Sequence, residues 1–417
     1  MEKPWLNRLA KLWRQLPWDG QGLLAPSDVE LAGLRRRAAA RFWRRVPGWS
    51  RPLLSPAARL LWGAAAALRT GRFARAHRLE PGEALRLLVD SLGSGADPVD
   101  AWVWHHLFPD CPRHPLPGRA AALLLSALGE PAQHRLLVDK QATAARLAEA
   151  GLAVPRLLAE IGSGTPFEPL APPWSEPRRL FVKPRHGAAG RGCAAIDVFA
   201  PGVYRIGAGV PVGPDALRAW LEAGAARDTL LVQERLAPHP DLADLAGSGG
   251  PPVLRLTIAR RPGEPPFLHS ALVSVAVPGA LPHDFLRGHV YSPLDPAGGA
   301  MAWGVRFRAP GERFERLPWN DAPLTGRVPP GFDRATAMAL KAMSLFPDLA
   351  LVNWDIIPTP DGPVILEGNT NGNWTLTRLG ATAGLETEPL VPLLGTWAER
   401  SPQRHFARSD REHPKGG

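Results

Sequence analysis

Cysteine, lysine and long apolar runs are all scarce in this chain of 417 residues. Its two cysteines, Cys111 and Cys193, are too few for a disulfide framework, which favours a reducing compartment. No stretch reaches the roughly 18 uncharged apolar residues that cross a bilayer, and the N-terminus lacks the apolar core of a signal peptide. These absences predict a cytoplasmic protein that is soluble or peripheral to a membrane.

Arginine replaces lysine almost everywhere, with 43 arginines against six lysines. The net charge of +10 and the pI of about 10.4 are compatible with an anionic partner. They are also compatible with the arginine-, alanine- and proline-rich composition of a GC-rich coding sequence. A lysine that persists in such a composition marks a place where a compact, mobile charge is needed.

The first 130 residues have the pattern of helices broken by proline and glycine, without strand alternation. We predict helices over residues 4–16, 27–46, 56–70, 81–92 and 118–128. From residue 180, short β-rich runs follow, then a predicted helix over residues 332–345 and a final hairpin. The fold class is therefore α+β, with a helical N-terminal region before an α+β body and a flexible tail over residues 401–417.

Residues 352–369, VNWDIIPTPDGPVILEGN, have the pattern of a β-hairpin. Pro360 and Asp361 suit the centre of a type I turn, and Gly362 suits the left-handed bulge that closes a three-residue loop. In that register Thr359 faces Pro363. The remaining pairs of facing residues follow from this one.

Four polar residues share one face of the predicted hairpin, because strand side chains alternate. Asn353 faces Asn369, and Asp355 faces Glu367. Two carboxylates about 5 Å apart repel each other unless a cation lies between them, and a hard divalent cation with oxygen ligands fits that need. A solvated acidic face, or carboxylates paired with arginine, is the alternative. The other face is predicted to point to the core and carries Val352, Trp354, Ile356, Val364 and Leu366.

A glycine-rich turn between two strands occupies residues 181–199, FVKPRHGAAGRGCAAIDVF. Gly187, Gly190 and Gly192 allow backbone N–H groups to converge on an anion, and Lys183 ends the first strand beside them. A plain flexible hairpin tip has the same pattern. The turn is neither a Walker loop nor a dinucleotide-binding fingerprint, since both need a helix after the turn.

Lys140 begins the amphipathic segment VDKQATAARLAEAGLAVPRLL. A cation is unfavourable at a helix N-terminus unless an anion lies nearby. Lys140 is therefore either an ordinary first-turn residue or a second anion-binding lysine.

In this order, the elements resemble the ATP-grasp superfamily. DK…GLAVP resembles the first nucleotide-binding lysine and the strand after it, and FVKPRHGAAGRG resembles the second lysine and the phosphate-covering loop. LLVQERL resembles the hinge that contacts adenine, and NWDIIPTPDGPVILEGNTN resembles the closing Asp…Glu-x-Asn magnesium motif. VQERLAPHPDL followed by VLRLTI is most similar to the sugar-transfer associated ATP-grasp group, which is related to α-L-glutamate ligases.

This resemblance implies an ATP-grasp fold, in which two α+β lobes clasp ATP with Mg²⁺. The helical region would cover residues 1–130, the small lobe with the phosphate loop residues 131–236, and the large lobe with the metal hairpin residues 237–400. The implied catalytic residues are Arg255 and Lys183. The implied nucleotide-binding residues are Lys140, Lys183, Gly187, Gly190, Gly192, Gln233, Arg235 and Leu236. The implied metal ligands are Asp355, Glu367 and Asn369.

The resemblance further implies a carboxylate–amine ligase with an acyl-phosphate intermediate, acting in the synthesis or decoration of a surface polysaccharide. Its substrates would be small-molecule or saccharide-linked carboxylates and amines. An ATP-grasp kinase that phosphorylates a hydroxyl would use the same nucleotide site. A non-catalytic nucleotide-binding partner of a sugar-transfer complex is a third interpretation, which the two lysines and the complete acidic set argue against.

Two departures from the family pattern stand out. The acidic ribose-binding residue has three candidates, His239, Asp241 and Asp244, without a clear choice. Arg287 and Gly288 stand where an asparagine and paired glycines are expected, which puts acceptor binding in doubt.

Three further signals lie in the N-terminal third. The arginine run at residues 35–37 lacks a nucleic-acid-binding motif, so no nucleic-acid partner is expected. The cluster of His105, His106, Cys111 and His114 suits a packed helix end better than zinc. Residues 1–18 form a basic amphipathic pattern that either contacts the inner membrane face or packs on the protein itself. Its apolar face carries Trp5, Leu6, Leu9, Leu12, Trp13 and Leu16.

Overall fold

A computed structural model of the chain describes residues 51–108, 124–125, 128–168, 171–246, 250–280, 288–307, 309–370, 374–381 and 390–400. Two antiparallel sheets, with helices packed on them, make up this part of the chain. The helices are α1 Arg51–His77, α2 Pro81–Ser94, α3 Pro98–Leu107, α4 Pro131–Val138, α5 Lys140–Glu149, α6 Pro214–Ala225, α7 Phe332–Ser344, α8 Trp374–Gly380 and α9 Leu390–Arg400.

The strands divide between the two sheets in chain order, since the first six form the smaller sheet and the next seven form the larger. They are β1 Leu157–Ile161, β2 Arg178–Pro184, β3 Ala194–Ala200, β4 Val203–Ile206, β5 Pro211–Val212, β6 Leu230–Glu234, β7 Val253–Ala259, β8 Phe267–Ala276, β9 His289–Pro293, β10 Gly304–Arg306, β11 Ala309–Phe314, β12 Leu351–Thr359 and β13 Gly362–Asn369. The smaller sheet has the order β1-β6-β2-β3-β4-β5, and the larger has the order β11-β10-β9-β8-β7-β12-β13.

The smaller sheet buries one face against helix α6. Leu180 and Val182 of β2 are fully buried there, in the same cluster as Leu217 of α6. Because strand side chains alternate, Phe181 and Lys183 point to the opposite face. This alternation places Lys183 on the side of the sheet away from α6.

The larger sheet has an apolar face and a polar face. Trp354 and Ile356 of β12 are fully buried on the apolar face, together with Ala339 of α7. Helices α4 and α5 join the same core through Leu137 and Leu147. The polar face carries the alternating residues of β7 and β12, which are Arg255, Thr257, Asn353 and Asp355.

Helix α3 packs on the far end of that polar face. Trp104 of α3 lies in one apolar cluster with Leu272 and Tyr291 of the sheet and with Leu376 of α8. Leu272 pairs directly with Arg255, so the two side chains emerge on the same side of the sheet. The N-terminal helical region therefore forms a wall beside the polar residues.

The predicted helices agree with the structure where it describes them. Residues 56–70 lie within α1, residues 81–92 within α2, and residues 332–344 form α7. The sequence analysis missed α3, although Asp97 caps it by accepting a hydrogen bond from the Val99 N–H at 3.0 Å and Pro98 occupies its first turn. The helices predicted over residues 4–16 and 27–46, most of the one over residues 118–128, and the tail lie outside the described residues.

The hairpin β12–β13 has the predicted pairs at its open end and a different turn. Asn353 pairs with Asn369, and the next polar pair follows as expected. Thr359 pairs with Gly362, so the loop contains only Pro360 and Asp361, and the predicted pairing of Thr359 with Pro363 is wrong.

A β-bulge reconciles the two ends of the hairpin. Asp355 pairs with Glu367, whereas the adjacent Ile356 pairs with Ile365, so Leu366 is an extra residue in β13. The prediction that Val364 and Leu366 point to the core is wrong. Ile365 is fully buried, and both of its neighbours are half-buried. The bulge offsets the shorter loop, which is why the polar pairs were nevertheless predicted correctly.

None of the helices in the described ranges combines the length and the apolar character required to cross a bilayer.

Candidate functional site

Three polar side chains form one hydrogen-bonded cluster at the open end of the β12–β13 hairpin. The amide of Asn369 donates to Asp355 Oδ2 at 3.2 Å and to Glu367 Oε1 at 3.1 Å. Burial raises the pKa of Asp355 to about 6; Glu367 adds to the rise, and the charge of Arg255 opposes it. A cation between the two carboxylates would favour their ionised forms.

The donor set of this cluster fits a hard divalent cation. Two carboxylates and one amide supply oxygen ligands, and a half-turn of the Asn369 amide would present its Oδ1 instead of its nitrogen. Among the residues described, no three His, Cys, Asp or Glu side chains are arranged to hold a metal. A cation here would therefore need Asn369 and further oxygens from outside the protein, such as phosphate and water.

Arg255 lies beside the acidic cluster on the neighbouring strand. It pairs with Asp355 in the sheet register, and its Nε lies 3.3 Å from Asp355 Oδ1. Its side chain is 7% exposed, so this ion pair is largely removed from solvent. Asp355 is thus paired with an arginine, which was one of the alternatives for the two carboxylates. The same guanidinium lies close to any group bound at the cluster.

Lys183 extends from the smaller sheet to the hairpin of the larger one. Its Nζ donates to the backbone carbonyl of Leu366, the bulged residue, at 3.3 Å. Burial lowers the pKa of Lys183, Glu367 opposes this effect, and Lys140 adds to it. The bulge therefore exposes a carbonyl oxygen that holds the lysine next to the acidic cluster.

The glycine-rich turn after Lys183 has the backbone conformation that its glycines allow. Gly187, Gly190 and Gly192 have φ values of 104°, 65° and 75°. At Gly192 a side chain would meet Pro184, because a Cβ would lie 2.9 Å from the ring Cγ. The turn thus folds back closely on the end of β2.

Lys140 contacts this turn directly. Its Nζ donates to the carbonyl of Gly187 at 2.7 Å, and its backbone N–H donates to the carbonyl of Arg185 at 3.1 Å. The ammonium of Lys140 therefore lies at the glycine turn and close enough to Lys183 to affect its pKa.

An ion pair that the sequence analysis missed attaches the turn to helix α5. Arg185 donates from Nε and Nη2 to the two carboxylate oxygens of Asp139, at 2.9 and 2.8 Å. Burial opposes ionisation of Asp139, but the hydrogen bond from Arg185 holds its pKa below the usual value. Asp139 also caps α5 by accepting from Gln141 and Ala142. The sequence indicated only that an aspartate precedes Lys140 and that an arginine follows Lys183 and Pro184. It could not indicate that the two pair, because they lie far apart in the chain.

The hinge residues lie at the end of β6. Gln233 is 3% exposed and pairs with Phe181 of β2. The backbone N–H of Arg235 donates to the carbonyl oxygen of Arg179 at 3.0 Å. The Arg235 guanidinium lies 3.1 Å from Asp197 Oδ1. Leu236, which follows, is half-buried.

The candidates for ribose binding differ in their partners. Asp244 accepts two hydrogen bonds from Arg327, at 2.7 and 2.8 Å, which commits its carboxylate to that pair. Asp241 is 75% exposed, and its backbone N–H donates to His239 Nδ1 at 3.2 Å. These contacts make Asp244 the weakest of the three candidates.

Two histidines of the cluster that was weighed as a zinc site, His105 and His106, have other partners. His105 contacts Asp90, and His106 Nδ1 lies 2.8 Å from the carbonyl of Trp102. Cys111, His114 and Arg287 lie outside the described residues.

Comparisons with known proteins agree with the resemblance. A model of the sugar-transfer associated ATP-grasp family matches residues 121–390. A search of curated proteins found no match. The solved structures to which the chain is similar include the VanG D-Ala:D-Ser ligase from Enterococcus faecalis, with 13% identity, a TM-score of 0.41 and coverage of 64% of each chain.

Two further solved structures have comparable similarity. The D-alanine–D-alanine ligase from Bacillus anthracis, complexed with ATP, has 12% identity, a TM-score of 0.37 and coverage of 67% of this chain and 70% of its own. The biotin carboxylase from Campylobacter jejuni has 12% identity, a TM-score of 0.39 and coverage of 66% and 48%. The chain thus spans 64% of the length of the VanG ligase and less than half of the carboxylase. Because the family model matches well over half of its residues, the chain belongs to the sugar-transfer associated ATP-grasp family.

Proposed function

We propose that this protein is an ATP-dependent ligase that activates a carboxylate as an acyl phosphate and transfers the acyl group to an amine. One observation carries the proposal. Lys183, from the basic turn of the smaller sheet, lies 3.3 Å from the carbonyl of Leu366, directly before Glu367 of the acidic hairpin. This contact brings the candidate phosphate-binding turn close to the candidate magnesium site, which supports binding of Mg-ATP between the two sheets.

The phosphates and the base each have candidate partners in this arrangement. Lys140, Lys183 and the N–H groups of the glycine turn would neutralise the phosphates. The hinge would contact adenine through Gln233, Arg235 and Leu236.

The acidic hairpin would hold the metal. Asp355, Glu367 and Asn369 would bind Mg²⁺, which would supply charge neutralisation of the phosphates and a fixed orientation for the terminal one. The Asn369 amide donates to both carboxylates, and it would give up these two hydrogen bonds if its oxygen turned to a bound ion.

The chemistry follows from these positions. A carboxylate oxygen of the acid would attack the γ-phosphorus, and the bond to the β,γ-bridging oxygen would break, releasing ADP. Arg255 and Lys183 would stabilise the charge that develops on the transferring group. The amine nitrogen would then attack the acyl carbon, phosphate would leave, and the amine would lose a proton to water.

The family description supports a proposal for the chemical class of the substrates. We propose small-molecule or saccharide-linked carboxylates and amines, with a role in the assembly or decoration of a surface polysaccharide.

The test combines binding and product analysis. Saturating Mg-ATP should raise the melting temperature of the full chain, because a ligand that binds only the native state stabilises it. Mass spectrometry of reactions with ATP and pools of acids and amines should reveal a condensed product together with ADP and phosphate. An unchanged melt without calorimetric binding would overturn the nucleotide site. A product phosphorylated on a hydroxyl group would show that the protein is a kinase and not a ligase.

A further inference from the structure

Helix α1 carries large apolar side chains on the side that points away from the other described residues. Leu60, Leu61 and Leu68 are 73%, 58% and 64% exposed, whereas Trp62 and Ala66 are buried. At about 100° per residue, residues 60, 61, 64 and 68 fall on one side of a helix, and residues 62, 66 and 70 fall on the opposite side. The helix is therefore apolar on its outer surface as well as on its packed surface.

The outer surface is basic as well as apolar. The sequence of α1, 27 residues long, contains no aspartate or glutamate. Arg75 lies seven residues after Leu68, on the same side of the helix, and is exposed, as is Arg78 just beyond the helix end. Leu60, Leu61, Leu68 and Arg75 together are called the outer stripe below.

The neighbouring helix α2 also carries exposed apolar side chains, although it contains Glu83 and Asp90. Leu85 is 62% exposed, Val89 is 49% exposed, and Arg86 between them is exposed. Five of the ten exposed large apolar side chains in the described part of the chain therefore lie in α1 and α2. Such a concentration of apolar surface beside arginines marks an interaction surface rather than scattered exposure.

We propose that the outer stripe docks this protein on an anionic lipid surface. Leucines that enter the boundary between headgroups and acyl chains, flanked by guanidinium groups that bind phosphate headgroups, are the pattern of an interfacial helix. A nucleic acid would use the arginines but not the leucines. A spanning orientation does not apply, since no described helix suits one. This surface consists of other residues than those of the membrane contact predicted for residues 1–18, and the proposal does not depend on the ligase proposal.

The experiment is flotation of the full chain with vesicles of phosphatidylglycerol and phosphatidylcholine, and with vesicles of phosphatidylcholine alone. Wild type should float with the anionic vesicles and less so at high salt. The triple variant Leu60→Gln, Leu61→Gln, Leu68→Gln should lower the partition coefficient by at least about tenfold, since each leucine contributes apolar area to the bound state. The pair Val210→Gln and Val328→Gln is the matched control, because both valines are exposed elsewhere, at 77% and 49%.

A second pair of variants separates charge from apolar area. Arg75→Gln with Arg78→Gln should reduce the salt dependence of flotation while leaving circular dichroism unchanged. A variant lacking residues 1–18 should still bind the anionic vesicles.

Three results would overturn the proposal. They are a wild-type chain that does not float, a triple variant that floats as well as wild type, and loss of binding on removal of residues 1–18 alone. Light scattering tests whether a second copy of the chain covers the outer stripe instead. That would be the case if wild type did not bind vesicles and formed a dimer, and if the triple variant were a monomer.

Discussion

Asn353 donates a hydrogen bond from its side-chain amide to the backbone carbonyl oxygen of Asn369, at 3.3 Å. Its Oδ1 accepts from the hydroxyls of Thr257 at 2.8 Å and Thr377 at 3.3 Å. The side chain is almost fully buried, so all three bonds are shielded from water. One amide therefore joins β7, β13 and α8 at the point where Asn369 contacts the two carboxylates.

Asn353→Ala should weaken both the fold and the proposed metal site. The change leaves two buried hydroxyls and a carbonyl without this partner, which costs about 1–3 kcal/mol in free energy of unfolding. It should also raise the Mg²⁺ concentration needed for half-maximal ATP binding, because Asn369 loses its support. Urea unfolding and calorimetric titration measure the two effects. Thr377→Val, which removes only the longer hydroxyl bond, should show a smaller change in both. Equal metal dependence in Asn353→Ala and wild type would limit Asn353 to a structural role.

Glu367→Gln and Asp355→Asn should each lower turnover by at least about 100-fold, since a metal contributes several kcal/mol of charge stabilisation. Glu367→Gln should stay folded, because it removes repulsion from Asp355. Asp361→Asn, at the exposed turn of the same hairpin, is the matched control and should keep full activity. Retention of near-normal turnover in either site variant would remove the metal assignment.

The hairpin shows how far the sequence could predict the site. Alternation along β12 and β13 placed Asn353, Asp355, Glu367 and Asn369 on one face correctly. The loop length was wrong, and the bulge at Leu366 was not foreseen, because the same letters allow a two-residue or a three-residue loop. The two errors cancelled, since each shifts the register by one residue.

Contacts between distant parts of the chain were beyond the sequence. Lys183 and Leu366 are 183 residues apart, and Thr257 and Asn353 are 96 apart. Spacing and periodicity describe only local structure, so the position of Lys183 at the acidic hairpin and the role of Asn353 could not be derived from them. The family resemblance brought the lysines and the acidic residues together in one site. It gave no indication that helix α3 covers part of the same sheet face.

Lys183→Arg should behave as a drastic substitution. Lys183 is 6% exposed and its Nζ already lies 3.3 Å from Leu366 O, so the longer, planar guanidinium has no room in the same place. We expect ATP affinity to fall about tenfold or more, measured by calorimetry. Lys341→Arg, on the exposed side of α7, is the control and should bind ATP like wild type. Unchanged affinity in Lys183→Arg would show that the lysine does not contact phosphate.

Gly368→Ala should destabilise the β12–β13 hairpin on the side that packs against the core. A Cβ at Gly368 would lie 2.6 Å from Leu137 Cδ2 and 2.6 Å from Trp354 Cζ3, both in the core. Overpacking of this kind lowers the free energy of unfolding by about 1–3 kcal/mol, and it would displace the adjacent Glu367. Gly213→Ala is the control, because nothing lies within 4 Å of a Cβ there. A melting temperature equal to that of wild type in Gly368→Ala would mean that the core yields without cost.

The last prediction concerns the carboxyl group of Asp100 in helix α3. Burial raises the pKa of Asp100 to about 7, the neighbouring Asp97 adds to the rise, and Arg69 opposes it. Arg69 forms its ion pair with Asp97, so its charge is shared. The native protein therefore holds the Asp100 proton over a pH range in which the unfolded chain has released it.

The sign of the pH effect follows from this difference. Between pH 3.8 and about 7 the native state binds more protons than the unfolded state, so stability falls as the pH rises through that window. Asp100→Asn removes the titration. Its free energy of unfolding should match that of wild type near pH 4 and exceed it by about 1 kcal/mol or more at pH 8. Asp215→Asn, also in the first turn of a helix that begins with proline but 97% exposed, should show no such trend. Urea unfolding at pH 4, 6 and 8 measures the difference, and a constant gap between Asp100→Asn and wild type would refute the raised pKa.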